Sequence, residues 1–289
     1  MTEKVGLLLA GGTGSRLTPT THAISKHLIP IFDKPLIYYS FSTLLLAGCR
    51  EIVIVTQSRD LEALDSVLGN GEKFGVVIRY LVQDEPLGIV HAINISSSFL
   101  SGHDFVLALG DNLFFGSHFS GFLEQMESCN VGARIALKQV PDPERFGVAW
   151  LSSAGSVERL QEKPVNSSSN LAVTGLYYFD DEGANRAKDQ APSGRGELEI
   201  TDLLQSYLDS GRLTAFTLPR GTVWQDTGTP EGLLAASNFV SSFQSLTGQL
   251  IGSPEEIAWR RGWITSDELD RLSRSYPNKY GEALRNIKP

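Results

Sequence analysis

Short apolar runs alternate with amphipathic stretches through the first half of the chain. Val5–Ala10 is apolar throughout and stops at Gly11-Gly12, the pattern of a strand buried on both faces. Pro35–Ala47 has helical periodicity, with proline in its first turn and Gly48 as a stop. Ile52–Thr56 predicts a strand, Leu61–Leu68 a helix, Ile78–Val82 a strand and Ile89–Ser97 a helix. Phe105–Leu109 predicts another buried strand, Phe119–Cys129 a helix and Arg134–Val140 a strand. This alternation predicts an α/β fold on a mostly parallel, doubly wound sheet.

The order loosens after Val140. Val148–Leu151, Val157–Gln161 and Leu171–Phe179 predict strands with few helices between them, and Asn166–Asn170 is a polar loop. Helical patterns return at Glu199–Asp209, Gly232–Phe243, Pro254–Arg261 and Ser266–Ser273. No repeat and no long linker interrupts the chain. It therefore divides into a catalytic domain over 1–247 and a small helical C-terminal extension over 248–289, part of the same folded unit.

Composition narrows the function classes. The chain has 289 residues, 41% of them hydrophobic, enough for a large core. A net charge of -8 gives no generic attraction to nucleic acid or to an anionic membrane. Phosphate binding must rest on a few placed cations and backbone amides. Cys49 and Cys129 are isolated and are expected to be reduced packing residues. Met1-Thr2-Glu3-Lys4 leads directly into an apolar strand without a signal-peptide core, so a cytoplasmic location is expected. His22, His27, His91, His103 and His118 form no metal or triad pattern, and no Gly-x-Ser-x-Gly elbow exists.

Leu9-Ala10-Gly11-Gly12-Thr13-Gly14-Ser15-Arg16 follows the first strand. Glycines there let backbone amides approach a polyphosphate, and Arg16 adds a forked cation. A plain strand–helix turn is the alternative. A Walker loop is excluded because no Gly-Lys pair occurs. A dinucleotide fingerprint is disfavoured because Leu17 takes the place of its third glycine and Ile52–Thr56 ends without an acid. Ser25-Lys26-His27-Leu28-Ile29-Pro30 brings a second cation, Lys26. Asp111, in Leu109-Gly110-Asp111-Asn112, lies just beyond a buried strand, where open sheets bind ligands and a carboxylate can hold Mg²⁺ against phosphates. Asp226, in Val223-Trp224-Gln225-Asp226-Thr227-Gly228-Thr229, ends a second apolar stretch and completes a carboxylate pair. Glu162-Lys163-Pro164 could grip a sugar and its phosphate.

This ordered set resembles the signature of sugar nucleotidyltransferases. Asp33-Lys34-Pro35-Leu36-Ile37-Tyr38-Tyr39, Val173-Thr174-Gly175-Leu176-Tyr177 and Arg195-Gly196-Glu197-Leu198-Glu199-Ile200-Thr201-Asp202 narrow it to the short bacterial glucose-1-phosphate thymidylyltransferases. The resemblance implies a Rossmann-like nucleotidyltransferase sheet and use of dTTP, or alternatively UTP, with glucose 1-phosphate. It implies a nucleotide site of Leu9, Gly11, Gly12, Thr13, Gly14, Arg16, Lys26, Gln83, Gly88 and Asp111. Gln83 would read the pyrimidine, and Asp111 and Asp226 would hold Mg²⁺. Leu109, Asn112, Phe146, Gly147, Glu162, Lys163, Val173 and Tyr177 would form the sugar site. Arg16, Lys26, Lys163, Asp111 and Asp226 would carry catalysis. A homotetramer is implied, with an effector site drawing on Phe115, Gly116, Ser117, Arg220, Glu256, Ile257 and Arg260. Ile257, Trp259, Trp263 and Ile264 are expected to find cover against another subunit. His27 and His91 stand where glutamine is usual, and Phe146 where tyrosine is frequent. A uridylyltransferase, a nucleotidyltransferase for another hexose 1-phosphate, a non-catalytic sugar-nucleotide sensor and a Rossmann oxidoreductase are the alternatives.

Overall fold

The computed structural model describes residues 4–129, 132–194 and 196–287. Strand β1 (Val5–Ala10) leads through single-turn 3-10 helices to a hairpin of β2 (Pro30–Ile31) and β3 (Lys34–Pro35), then helix α1 (Ile37–Leu46). β4 (Glu51–Thr56), α2 (Ser58–Leu68), β5 (Val77–Val82), α3 (Ile89–Ile95), α4 (Ser97–Leu100) and β6 (Phe105–Leu109) follow. Next come β7 (Asn112–Phe115), α5 (Phe119–Ser128), β8 (Ala133–Gln139), β9 (Gly147–Leu151), β10 (Val157–Glu162), β11 (Leu171–Phe179) and α6 (Gly183–Lys188). The remaining elements are α7 (Ile200–Asp209), β12 (Leu213–Thr217), β13 (Val223–Asp226), α8 (Pro230–Thr247), α9 (Pro254–Arg260), α10 (Ser266–Ser275) and α11 (Lys279–Arg285).

Among the described residues, nine strands form the main sheet, in the order β10-β9-β11-β6-β1-β4-β5, with β8 beside β11 and β12 beside β8. Its centre is parallel: β1 pairs with β4 and β6, and β4 with β5. Strand side chains alternate between faces, so a strand covered on both sides must be apolar at every position. β1 obeys this rule. Leu8 and Ala10 enter the cluster shared with α1, α2 and α5, while Val5 and Leu7 enter the one shared with α3, α6 and α7. The looser second half of the sequence supplies the antiparallel pairs of β9, β10 and β11.

Differences from the expected elements have local causes. Helix α1 starts later than Pro35 because Lys34 and Pro35 pair with β2. The helix expected over Ile89–Ser97 breaks at Ser96, whose hydroxyl donates to the Ala92 carbonyl at 2.8 Å. Strands β7, β12 and β13 are short, and their apolar residues are too few for a periodic signal.

The C-terminal helices require a correction. Ile264 is buried, and Ile257, Trp259 and Trp263 pack against the same cluster as Leu44, Leu45 and Phe74. Their cover comes from this chain, so they do not in themselves call for another subunit. The reason is α1, nine of whose ten residues are buried: one side meets the sheet, the other meets α9. Fully buried Glu255 ties these helices together, accepting the Tyr276 hydroxyl at 2.9 Å and the Tyr280 hydroxyl at 2.5 Å. Burial, with the Glu255 charge, pushes the Tyr280 hydroxyl well above the usual phenol range.

Glu255→Ala leaves buried hydroxyls short of an acceptor and is expected to cost about 1–3 kcal/mol. Calorimetry should show one cooperative transition at a lowered Tm. A separate low-temperature transition would show that the segment from α9 onward unfolds independently.

Candidate active site

The site forms at the carboxyl ends of β1 and β6, where the chain leaves the sheet in two glycine-containing turns. After β1, a Cβ on Gly12 would lie 2.8 Å from Lys26 Nζ, so the lysine ammonium occupies the space that a side chain would need. Lys26 Nζ meets Asp111 Oδ2 at 2.5 Å, with side chains only 12% and 15% exposed. Burial alone would raise the Asp111 carboxyl. The charge and hydrogen bond of Lys26 hold it below the usual carboxylate range. Asp111 is therefore ionised at working pH, as a cation ligand must be.

His27 faces inward. It is 1% exposed, its ring packs against Gly110, and its Nδ1 lies 3.3 Å from the Ser25 hydroxyl. Burial, then the Lys26 charge, push its pKa down to about 3 against the pull of Asp111, so it is neutral. It does not line the cavity described below. Gly14 sits at φ 65°, a left-handed conformation that glycine tolerates, and its carbonyl accepts the Thr21 hydroxyl.

The second carboxylate comes from the two-stranded ribbon of β7 and β13. Asp226 pairs across the ribbon with Asn112, the neighbour of Asp111. Thr227 donates its N–H and its hydroxyl to the Asp111 carbonyl at 3.0 and 2.7 Å, fixing the two acids on adjoining rungs. Asp226 Oδ1 accepts the Gly228 N–H at 2.9 Å, and Oδ2 lies 3.4 Å from Arg145 Nη2. A Cβ on Gly228 would meet both Arg16 Nη2 and Asp226 Oδ1, which places Arg16 beside this acid. Asn112 is 4% exposed; its amide donates to Asp111 Oδ1 at 3.1 Å and accepts the Trp224 indole N–H at 2.5 Å.

Among the described residues, no group of three or more His, Cys, Asp or Glu is arranged to hold a metal. Asp111 and Asp226 offer carboxylate oxygens alone. That donor set fits Mg²⁺, which keeps several waters and takes one or two carboxylates together with substrate phosphates.

A cavity of about 310 Å³ joins most of the expected nucleotide residues. Leu9, Gly11, Gly12, Lys26, Leu109 and Asp111 line it together with Gln83, Gly88 and Ile89 and with Glu162, Lys163, Glu197 and Glu199. Gln83 is held by its N–H on the Thr56 carbonyl, and its amide donates to the Gly88 carbonyl at 3.3 Å. Gly88, at φ 95°, lets the Leu198 backbone pass where a Cβ would be only 2.4 Å from its carbonyl oxygen. Lys163 adopts φ 43°, a strained value for a residue with a side chain. Its N–H on the Phe146 carbonyl holds that turn, and its Nζ lies 3.4 Å from Glu162 Oε1. Glu162 Oε2 accepts the Thr201 hydroxyl at 2.9 Å.

A smaller cavity of about 30 Å³ adjoins Glu162 and is lined by Gly147, Val173, Tyr177 and Thr201. Thr13, Gly14, Arg16 and Asp226 line neither cavity, nor do Asn112 and Phe146. Phe146 instead packs on Trp224, ring centroids 5.1 Å apart. A separate pocket of about 210 Å³ gathers Phe115, Gly116, Glu256, Ile257 and Arg260. Ser117 and Arg220 are exposed and do not line it. Arg195 lies outside the described residues. Sequence reasoning missed Arg145, which sits in an ordinary Pro-Glu-Arg turn, and Glu197, Glu199 and Thr201, which were visible only as parts of a motif.

A nucleotidyl transferase family model matches residues 5–242. The glucose-1-phosphate thymidylyltransferase of Neisseria meningitidis serogroup A is 43% identical over 283 residues, 98% of each chain. A crystal structure of a Bacillus anthracis protein described as a glucose-1-phosphate thymidylyltransferase, in complex with sucrose, matches with TM-score 0.76 and 38% identity. It covers 82% of this chain and 94% of that one. A UDP-glucose pyrophosphorylase complexed with UDP-glucose matches with TM-score 0.72 and 27% identity, covering 83% of this chain and 99% of that one. Sequence and fold thus agree, and the chain belongs to the glucose-1-phosphate thymidylyltransferase family of nucleotidyl transferases.

Proposed function

We propose that this enzyme transfers the thymidylyl group of dTTP to glucose 1-phosphate with Mg²⁺, giving dTDP-glucose and pyrophosphate. This is an entry step to dTDP-deoxysugars, dTDP-rhamnose among them. The observation that carries the reading is that the glycine loop, Lys26, Asp111, Gln83, Glu162 and Lys163 line one cavity. This supports a reading in which base, polyphosphate and sugar phosphate share that cavity.

The attacking group needs little activation. A phosphomonoester has its second pKa near ~6, so the sugar phosphate is already anionic at neutral pH and no general base is required. What remains is orientation and charge. Lys26 and Arg16 neutralise the triphosphate and the departing pyrophosphate. Lys163 brings the incoming phosphate into line against anion–anion repulsion, and Glu162 accepts sugar hydroxyls. The Gln83 amide offers one donor and one acceptor to the pyrimidine edge. Asp111 and Asp226 would hold Mg²⁺, which would supply charge neutralisation at the phosphates.

UTP is the second reading for the base. Thymine and uracil present the same hydrogen-bonding edge, and the likeness to a UDP-glucose pyrophosphorylase supports it. A homotetramer belongs to the same proposal, with the pocket of Phe115, Glu256 and Arg260 as a separate effector site. No described helix is long and apolar enough to cross a membrane. Cytoplasmic residence, with no nucleic-acid partner, completes the proposal.

Asp111→Asn and Asp226→Asn should each lose at least about a hundredfold in turnover, the scale of removing one charge-stabilising contact. Pyrophosphate release measured with Mg²⁺ and with EDTA checks this; near-normal rates in both variants with EDTA present would refute the metal role. For the base, dTTP and UTP should be used and ATP and GTP should be poor. Equal specificity constants for ATP and dTTP would remove Gln83 from base recognition.

A further inference from the structure

We propose that Arg145 is a positioning residue that keeps a divalent ion off Asp226 until the nucleotide brings it. The proposal rests on the reading of Asp226 as a metal ligand. Arg145 ends a single-turn 3-10 helix, Pro143–Arg145, and its guanidinium forks between two acids. Nη1 donates to Asp142 Oδ2 at 2.7 Å, and Nη2 lies 3.4 Å from Asp226 Oδ2. The Phe146 ring lies beneath it, 5.2 Å from the guanidinium carbon. With the Gly228 N–H on Oδ1, both oxygens of Asp226 are engaged, one by a neutral dipole and the other by a full positive charge.

The metal carboxylates are thus each matched by a monocation, Lys26 on Asp111 and Arg145 on Asp226. The formal charge of these four groups sums to zero and Arg16, beside Asp226, adds a further cation, so the protein alone offers a divalent ion little net attraction. A triphosphate changes that balance. It supplies further oxygen ligands and competes with Asp226 for a cation.

The two monocations differ in freedom. Lys26 is nearly enclosed and fixed by its neighbours, whereas the Arg145 side chain is 41% exposed and shared with Asp142. Arg145 is therefore the member that can yield. Asp142 sets how firmly it leans on Asp226, because it competes for the same guanidinium.

The test measures Mn²⁺ binding by electron paramagnetic resonance of free Mn²⁺, with the full-length protein, without nucleotide and with dTTP. The wild-type protein should bind Mn²⁺ weakly alone and more tightly with dTTP. Arg145→Ala should tighten nucleotide-free binding about two- to fivefold, the scale of a partly exposed ion pair. Asp142→Ala should weaken it, because Arg145 is then left with Asp226 alone. A general structural defect would weaken binding in both variants, so opposite signs are diagnostic. Unchanged or weaker binding in Arg145→Ala would overturn the proposal. Asp226→Asn separates the two readings. If it binds Mn²⁺ as the wild type does under both conditions, the metal reading itself fails. If it loses binding while Arg145→Ala shifts nothing, the role of Arg145 alone fails.

Discussion

A lysine and an aspartate 85 residues apart meet at 2.5 Å, and the rest of the site is arranged around that contact. Lys26 follows the glycine loop after β1, and Asp111 follows β6, so the pair closes the two central strands of the sheet over one point. A side chain on Gly12 would displace the lysine ammonium from its place against the loop, and Gly110 must lack one because the Leu9 carbonyl and the His27 ring press on it. Breaking a largely buried pair by removing one partner costs about 3–5 kcal/mol, since the remaining charge is stranded. The contact therefore fixes the backbone that a polyphosphate would meet and keeps Asp111 ionised.

From this pair the polar contacts spread outward. Asp111 orients Asn112, Asn112 accepts the Trp224 indole, and Trp224 packs on Phe146, whose neighbour Arg145 returns to Asp226. The chain of contacts runs from one carboxylate to the other across the β7–β13 ribbon. Asn112 serves here as an interior bracket with both ends of its amide engaged, and Phe146 as packing for Trp224.

The sequence was informative where chemistry and structure are local. A continuous apolar run ending in glycines specifies a central strand and its phosphate loop, and Asp111 stands out because it directly follows another such run. Lys26 was legible only as a cation near that loop; its partner 85 residues away was not. Arg145 was missed because its importance lies in reaching Asp226, and a Pro-Glu-Arg turn carries no mark of that. The apolar residues of α9 and the following turn were visible, but periodicity does not say what covers a face. The structure covers it with α1, a helix almost without a polar side. His27, which stands where glutamine is usual, turns its ring into the interior and stays neutral.

These features converge on a site that must hold two anions in line without a base. Phosphorus NMR of the protein mixed with dTTP, glucose 1-phosphate and Mg²⁺ tests that most directly. The account predicts the paired diphosphate resonances of a nucleotide sugar growing in step with pyrophosphate, and neither signal when glucose 1-phosphate is omitted. Release of inorganic phosphate from dTTP alone, or unchanged dTTP with both substrates present, would contradict it.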